Sequence, residues 1–344
     1  MINKNVKYGD NNPDISRKFP DLSTIGYQLI QELGHNTEGG RTTYLANSLQ
    51  YGKKVVIKQF CFARTTVDWY GVKSYQREIE LLKTLNYHRI PGYLESFTNT
   101  DFFYLVQEYK DATSLNSKRC LHPQEIKQIA VSLLETLVYL QQLHNPIIHR
   151  DIKPENILVD ENLQVYLVDF GLAKIQTKKS DLSTLVAGTP GFIPPEEQFG
   201  HPLTTASDLY SLGVTLICLL TNTHGRDISQ LIDNNYRFNF QKLLPFISPS
   251  FRFWLEKMVE PNYRSRYSNA AEALTALKPI QVMGSGTIVE KLWVQLHQKK
   301  SIAILLLSMT GICLSLGTNF MVSQPDNPVN SNVQIKPQLA DHLP

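Results

Sequence analysis

Apolar and polar positions alternate differently along successive stretches of the chain. Short runs rich in Val, Ile, Tyr, Phe and Leu at 27–33, 41–46, 54–60, 93–97 and 102–108 predict β-strands. Between the third and fourth runs, Ile79, Leu82 and Leu85 recur at helical spacing and predict a helix over 70–85. The first 110 residues therefore predict a small antiparallel sheet with one helix. Beyond them the period lengthens. In 123–143, Ile126, Ile129, Ala130, Leu133, Leu134, Leu137 and Val138 form the stripe of a helix packed on a core. Pro123 suits its first turn, where no backbone donor is needed. Two short strands at 156–159 and 164–168 follow, then helices at 206–221, 250–259 and 268–277. No internal repeat is visible.

The run 301–322, SIAILLLSMTGICLSLGTNFMV, carries no charge. At about 1.5 Å per residue, a helix of this length spans the roughly 30 Å hydrocarbon core of a bilayer. It predicts a single transmembrane helix, with a buried core helix as the alternative; its place near the end, with no domain after it to cover it, favours the membrane. Lys299 and Lys300 precede the run, and the positive-inside bias keeps that side cytoplasmic. The expected location is therefore the inner (plasma) membrane, single-pass, with the preceding domain in the cytoplasm. The tail 323–344 contains Pro325, Pro328, Pro337 and Pro344 and is expected to be disordered. Residues 1–26 form a polar lead without an apolar run, so no cleavable signal peptide is expected. The expected organisation is a lead at 1–26, lobes at 27–109 and 110–279, a linker at 280–300, the membrane helix and the tail.

Composition narrows the class. A 42% hydrophobic share supplies a sizeable core and excludes wholesale disorder. With 34 basic against 31 acidic residues, the charge is too even to suggest a nucleic-acid partner. Cys61, Cys120, Cys218 and Cys313 lie far apart with no CxxC pair, which argues against a zinc site or disulfide framework and for a reducing compartment.

The chemistry concentrates in His149-Arg150-Asp151-Ile152-Lys153-Pro154-Glu155-Asn156, followed by Asp169-Phe170-Gly171. One loop presents an Asp, a Lys and an Asn, and a second presents another Asp. Phosphoryl transfer uses such groups: a carboxylate to orient the attacking hydroxyl, a carboxylate and an amide oxygen to hold a metal, and a lysine to offset charge. On these motifs, over about 27–279, the chain resembles eukaryotic-type (Hanks-type) Ser/Thr protein kinases of bacterial style. The resemblance implies an α+β, two-lobed kinase fold: an N-lobe antiparallel sheet plus one helix, and a mainly helical C-lobe.

The resemblance also implies roles. Asp151 and Lys153 match the catalytic pair, and Asn156 and Asp169 the metal ligands. Lys58, in Val55-Val56-Ile57-Lys58, matches the third-strand lysine on the ATP phosphates, and Glu78 its glutamate partner. Gln107 falls at the gatekeeper position, with Glu108 and Lys110 supplying hinge backbone groups; Val56 and Leu158 join this ATP-binding set. Gly188-Thr189-Pro190 to Glu196 resembles the close of the activation loop, reading Pro-Pro-Glu where the family has Ala-Pro-Glu. Thr189 matches the threonine near the catalytic Asp of Ser/Thr kinases. Glu196, Arg266 and Asp208 match structural positions: a Glu–Arg pair and the aspartate that ties down the catalytic loop. Arg150 matches the arginine that clamps an activation-loop phosphate, for which Thr177, Ser180, Ser183 and Thr184 are candidates, the last two foremost.

The phosphate-covering loop departs from the family's G-x-G-x-x-G-x-V. Read from Leu33, the glycine positions are Gly34, Asn36 and Gly39; read back from Tyr44-Leu45-Ala46, the loop is two residues longer and Arg41 takes the third glycine. Gly34, Asn36, Gly39 and Gly40 are the candidate phosphate-loop residues under these readings. The implied reaction is γ-phosphate transfer from ATP with Mg²⁺, or Mn²⁺, to protein Ser/Thr hydroxyls, with self-association for trans-autophosphorylation and a membrane anchor. The alternative is a pseudokinase, a nucleotide-binding scaffold with little transfer. A receptor with an outer sensor is disfavoured, because the tail is too short to fold alone.

Overall fold

The computed structural model describes residues 19–36, 40–61, 69–117, 120–176 and 188–284. The anchor at 301–322, the tail, most of the lead and linker, Gly39 and the activation-loop candidates Thr177, Ser180, Ser183 and Thr184 lie outside the described residues. Among the described residues no helix is long and apolar enough to cross a membrane.

The N-terminal lobe is a five-stranded antiparallel sheet. Its strands are β1 (Tyr27–Asn36), β2 (Arg41–Ser48), β3 (Lys54–Cys61), β4 (Tyr93–Thr98) and β5 (Phe102–Glu108), in the order β1-β2-β3-β5-β4. Helix α1 (Trp69–Thr84) crosses between β3 and β4. Its apolar stripe, Ile79 and Leu82, is buried, and Leu85 just after it is buried too. These residues join Phe60 and Leu105 of the sheet in a core continuous with that of the C-terminal lobe. A smaller cluster of Tyr27, Ala46, Val55, Ile57, Tyr104 and Val106 fills the sheet's other side. Period-2 alternation in β3 thus sends Val55 and Ile57 to one cluster and Phe60 to another, with Lys58 on the same side as Phe60 by parity.

The C-terminal lobe is built on α2 (Pro123–Gln142) and α4 (Ser207–Thr221). Helix α2 starts in a capping box: His122 Nδ1 accepts from Gln124 N–H, and Glu125 Oε2 accepts from His122 N–H at 2.7 Å. The predicted stripe from Ile126 to Leu137 is fully buried, at roughly 1.5–3 kcal/mol per large side chain. Helix α4 ends on Asn222 in the left-handed region, φ 54°. Helices α5 (Pro249–Met258) and α6 (Ala270–Leu277) are capped by Ser248 and Asn269. At Gly213 a Cβ would meet Val259 Cγ1 at 2.6 Å and Met258 Cβ at 2.9 Å, so glycine is what lets α4 approach α5.

Short elements join the lobes to the chemistry. Strands β6 (Thr113–Ser114), β8 (Ile157–Val159) and β9 (Val165–Leu167) form one small sheet, and β7 (Ile147–Ile148) pairs with β10 (Lys174–Ile175). A four-residue helix α3 (Pro195–Gln198) precedes α4. The sequence pattern predicts β8 and β9 but not β6, β7, β10 or α3, because two to four residues are too few to show a period.

Candidate active site

Lys58 stands in β3 opposite Thr43 on one side and Leu105 on the other. Its Nζ lies 2.9 Å from Glu78 Oε1 of α1 and 3.3 Å from Asp169 Oδ1 of the C-terminal lobe. Burial works against the Lys58 charge, but the Asp169 and Glu78 carboxylates outweigh it and raise its pKa. Asp169 responds in the opposite sense: burial alone would raise its pKa, and the Lys58 and Arg41 charges instead hold it well below the usual carboxylate range. Asp169 has φ 67°, a left-handed backbone that turns its side chain back towards the sheet. The second cation on Asp169 is one the sequence pattern did not point to as a partner. Arg41 Nη1 donates to Oδ1 at 2.8 Å and Nη2 to Oδ2 at 2.6 Å.

The catalytic-type loop leaves β7 and is held from below by α4. Asp208, in the first turn of that helix, accepts from the backbone N–H of His149 at 2.8 Å and of Arg150 at 2.9 Å. Burial pushes the Asp208 carboxyl up, and those two donors with the nearby Arg150 charge act against it. Burial also lowers the His149 pKa, so its ring is neutral. Its Nδ1 accepts from Asp151 N–H at 3.3 Å, which leaves the proton on Nε2, donating to the Val168 carbonyl at 3.2 Å. Thus His149 ties the loop bearing Asp151 to the strand leading into Asp169. Arg150 has φ 68°. Strained residues in two adjoining loops are typical of sites where side-chain aim matters more than backbone comfort.

Three groups converge on the Asp151 carboxylate. Asn156 Nδ2 donates to Oδ2 at 2.8 Å, Lys153 Nζ is 2.9 Å from the same oxygen, and Thr189 Oγ1 donates to Oδ1 at 3.2 Å. Lys153 also donates to Thr189 Oγ1 at 2.7 Å. Asn156 spends its amide nitrogen on Asp151, by a second bond to the Asp151 carbonyl as well, and its amide oxygen is the atom it can offer a cation. The carboxylate of Asp169 and this amide are hard oxygen donors of the kind that bind Mg²⁺. Among the described residues no group of three His, Cys, Asp or Glu side chains could hold a metal. The Asp169 and Asn156 side chains would hold a divalent cation together with phosphate and water oxygens, an arrangement common for Mg²⁺.

Further along, Arg266 makes a buried two-pronged pair with Glu196, at 2.8 Å to Oε1 and 2.7 Å to Oε2. Ser207 Oγ donates to Glu196 Oε1, and Arg266 also reaches the carbonyls of Glu260, Ala206 and Pro261. Arg150 pairs with Glu197, its Nε donating at 3.0 Å and its Nη2 closer still. Sequence reasoning missed Glu197; the only signal was a second acid beside Glu196. At the far end of β5, Gln107 is buried, and Val56 and Leu158 are half-buried. Glu108 N–H donates to Gly92, and the Lys110 carbonyl accepts from Ala112 in a tight turn. In the β1–β2 hairpin, Asn36 pairs with Arg41 and Gly34 with Thr43, while Gly40 takes φ 58°. Arg41 is therefore a strand residue, the first of β2, rather than part of the turn. A cavity of about 540 Å³ lined by Asp233, Arg237, Phe253 and Glu256 includes none of these groups.

A sheet lysine and a helical-lobe aspartate meeting beside an acid–lysine–amide loop is the arrangement of the two-lobed phosphotransferases. Comparison of sequences narrows the class: the protein kinase domain family matches residues 27–277, and the chain belongs to that family. It is 30% identical over 275 residues to serine/threonine-protein kinase PknA of Nostoc sp., covering 73% of this chain and 47% of that protein. It is 33% identical over 273 residues to serine/threonine-protein kinase D of Synechocystis sp., covering 75% and 53%. Serine/threonine-protein kinase PrkC of Bacillus subtilis is 30% identical over 200 residues, covering 57% of this chain and 30% of that protein. The chain thus spans about half the length of the first two relatives.

Proposed function

We propose that this chain is an ATP-dependent protein serine/threonine kinase. The observation that carries the reading is the Asp151 carboxylate, held at once by Lys153, Asn156 and Thr189 while Asp169 is ion-paired to Lys58. Lys58, fixed by Glu78, takes the α- and β-phosphates of ATP. Val56, Gln107 and Leu158 line the adenine, and the Glu108 carbonyl and Lys110 N–H meet its edge. Asp169 and Asn156 hold Mg²⁺ or Mn²⁺, which screens phosphate charge when bound. Asp151 orients the substrate Ser or Thr hydroxyl and takes its proton as the new oxygen–phosphorus bond forms. The bond from the γ-phosphorus to the bridging oxygen breaks, and ADP leaves. Lys153 offsets charge on the transferred group. No covalent enzyme intermediate is needed, so the protein's contribution is positioning and charge.

The same reading includes regulation and location. Autophosphorylation within 172–187, with Ser183 and Thr184 foremost, gives Arg150 a phosphate to bind in place of or beside Glu197, and self-association supplies the second active site in trans. The run 301–322 tethers the domain to the inner membrane. The competing reading, a nucleotide-binding scaffold with little transfer, is favoured by one observation: Arg41 occupies both oxygens of Asp169. Label transfer from γ-labelled ATP to Ser or Thr of a generic protein acceptor decides between them. The full chain transfers label, and Asp151→Asn removes most of it. Wild-type levels of transfer by Asp151→Asn would show the site to be misassigned.

A further inference from the structure

We propose that Arg41 is a phosphate-binding side chain that shares Asp169 with the divalent cation, holding the carboxylate until nucleotide and metal arrive together. This rests on the reading of Asp169 as a metal ligand and Lys58 as a phosphate ligand.

Four observations lead there. The Arg41–Asp169 pair is a parallel two-bond fork at 2.8 and 2.6 Å, so both carboxylate oxygens are engaged. Any cation binding Asp169 must share or replace that fork. Next, among the described residues Lys58 and Arg41 face Glu78 and Asp169, two cations against two anions. A carboxylate neutralised in this way attracts a bare metal ion weakly, whereas an incoming polyphosphate meets two cations. Then there is position. Arg41 is the first residue of β2, directly after Gly40, and reaches Asp169 from the strand that pairs with the Lys58 strand. Read back from Tyr44-Leu45-Ala46, it stands where the family has its third glycine, so a guanidinium occupies space that otherwise admits only backbone. Lastly, the two cations differ in exposure: the Lys58 side chain is 8% exposed and that of Arg41 27%. Arg41 is thus the more solvent-accessible of the two, and its planar fork fits carboxylate and phosphate alike.

The consequence is linked binding. Metal alone competes with Arg41, and nucleotide releases Asp169 by drawing Arg41 away. Mg·ATP then binds as a unit, and metal-free ATP retains a cation for its phosphates.

The test uses the full chain in detergent, with Arg41→Gln and Arg41→Lys. Mn²⁺ is titrated alone and followed by its electron paramagnetic resonance signal, and ATP is titrated in EDTA by calorimetry. Arg41→Gln should bind Mn²⁺ alone about tenfold more tightly and metal-free ATP about tenfold more weakly, the scale of one charge-assisted hydrogen bond. Arg41→Lys, which keeps the charge without the fork, should fall between the two and guards against a folding defect in the glutamine variant. If wild type binds Mg·ATP but both variants match it for Mn²⁺ and for metal-free ATP, the role of Arg41 is overturned. If wild type binds no nucleotide under either condition, the nucleotide-site reading fails as well.

Discussion

Asp208 never faces the cleft, yet two backbone N–H groups of the catalytic-type loop end on its carboxylate. One of them belongs to Arg150, whose φ of 68° is unfavourable for a side-chain-bearing residue. The loop's shape therefore depends on a buried acid one helix away. Asp208→Asn keeps the volume but turns one acceptor into a donor, leaving an N–H facing an N–H. The expected cost is about 1–3 kcal/mol of stability, the penalty of an unsatisfied buried polar group. Transfer should fall while ATP affinity stays nearly constant, because Lys58 and the hinge are untouched; a melting curve, kcat and an ATP titration check both halves. At this scale the sequence was informative where a motif existed. Lys58, Glu78, Asp151, Asn156 and Asp169 were all legible as candidates, and the structure brings Lys58, Glu78 and Asp169 together, and Asp151 with Asn156. Arg41 and Glu197 were not legible as partners of Asp169 and Arg150. Each contact joins residues far apart in the chain, 128 positions in the case of Arg41, and no local period encodes such a meeting.

Elements show the same division. Strands β1 to β5 and helices α1, α2, α4, α5 and α6 follow from hydrophobic period, capping residues and proline placement. The two-residue strands β6, β7 and β10 exist only because tertiary packing brings a partner alongside. Hairpin register places Asn36 opposite Arg41, so Arg41 lies in β2. Between elements, the Glu196–Arg266 pair ties α3 to the segment before α6, with Ser207 at the start of α4 adding a third bond. Both partners are almost wholly buried, so breaking the pair by Glu196→Gln strands a charge. That variant should lose about 3–5 kcal/mol in chemical denaturation. The double variant Glu196→Met with Arg266→Leu should lose much less than the sum of the singles, because neither charge is left behind. Additive losses would mean the two residues act separately.

On the scale of the molecule, one core among the described residues runs from α1 through the C-terminal lobe. The membrane assignment stands on a different footing, the uncharged run 301–322 after Lys299 and Lys300. If that run is a bilayer helix, the full chain resists extraction with alkaline carbonate, and replacing Leu305 and Leu306 by lysine releases it. Wild-type protein washing off would show that the run does not tether the chain. Whether Asp151 does chemistry and not merely architecture is decided by measuring Mg·ATP affinity and γ-phosphate transfer on the same preparation of the full chain and of Asp151→Asn. The prediction is transfer lowered by about 10²-fold or more, the scale of a lost general base, with affinity changed only a few-fold. Tight nucleotide binding by wild type with no transfer, or equal transfer by the two proteins, would contradict it.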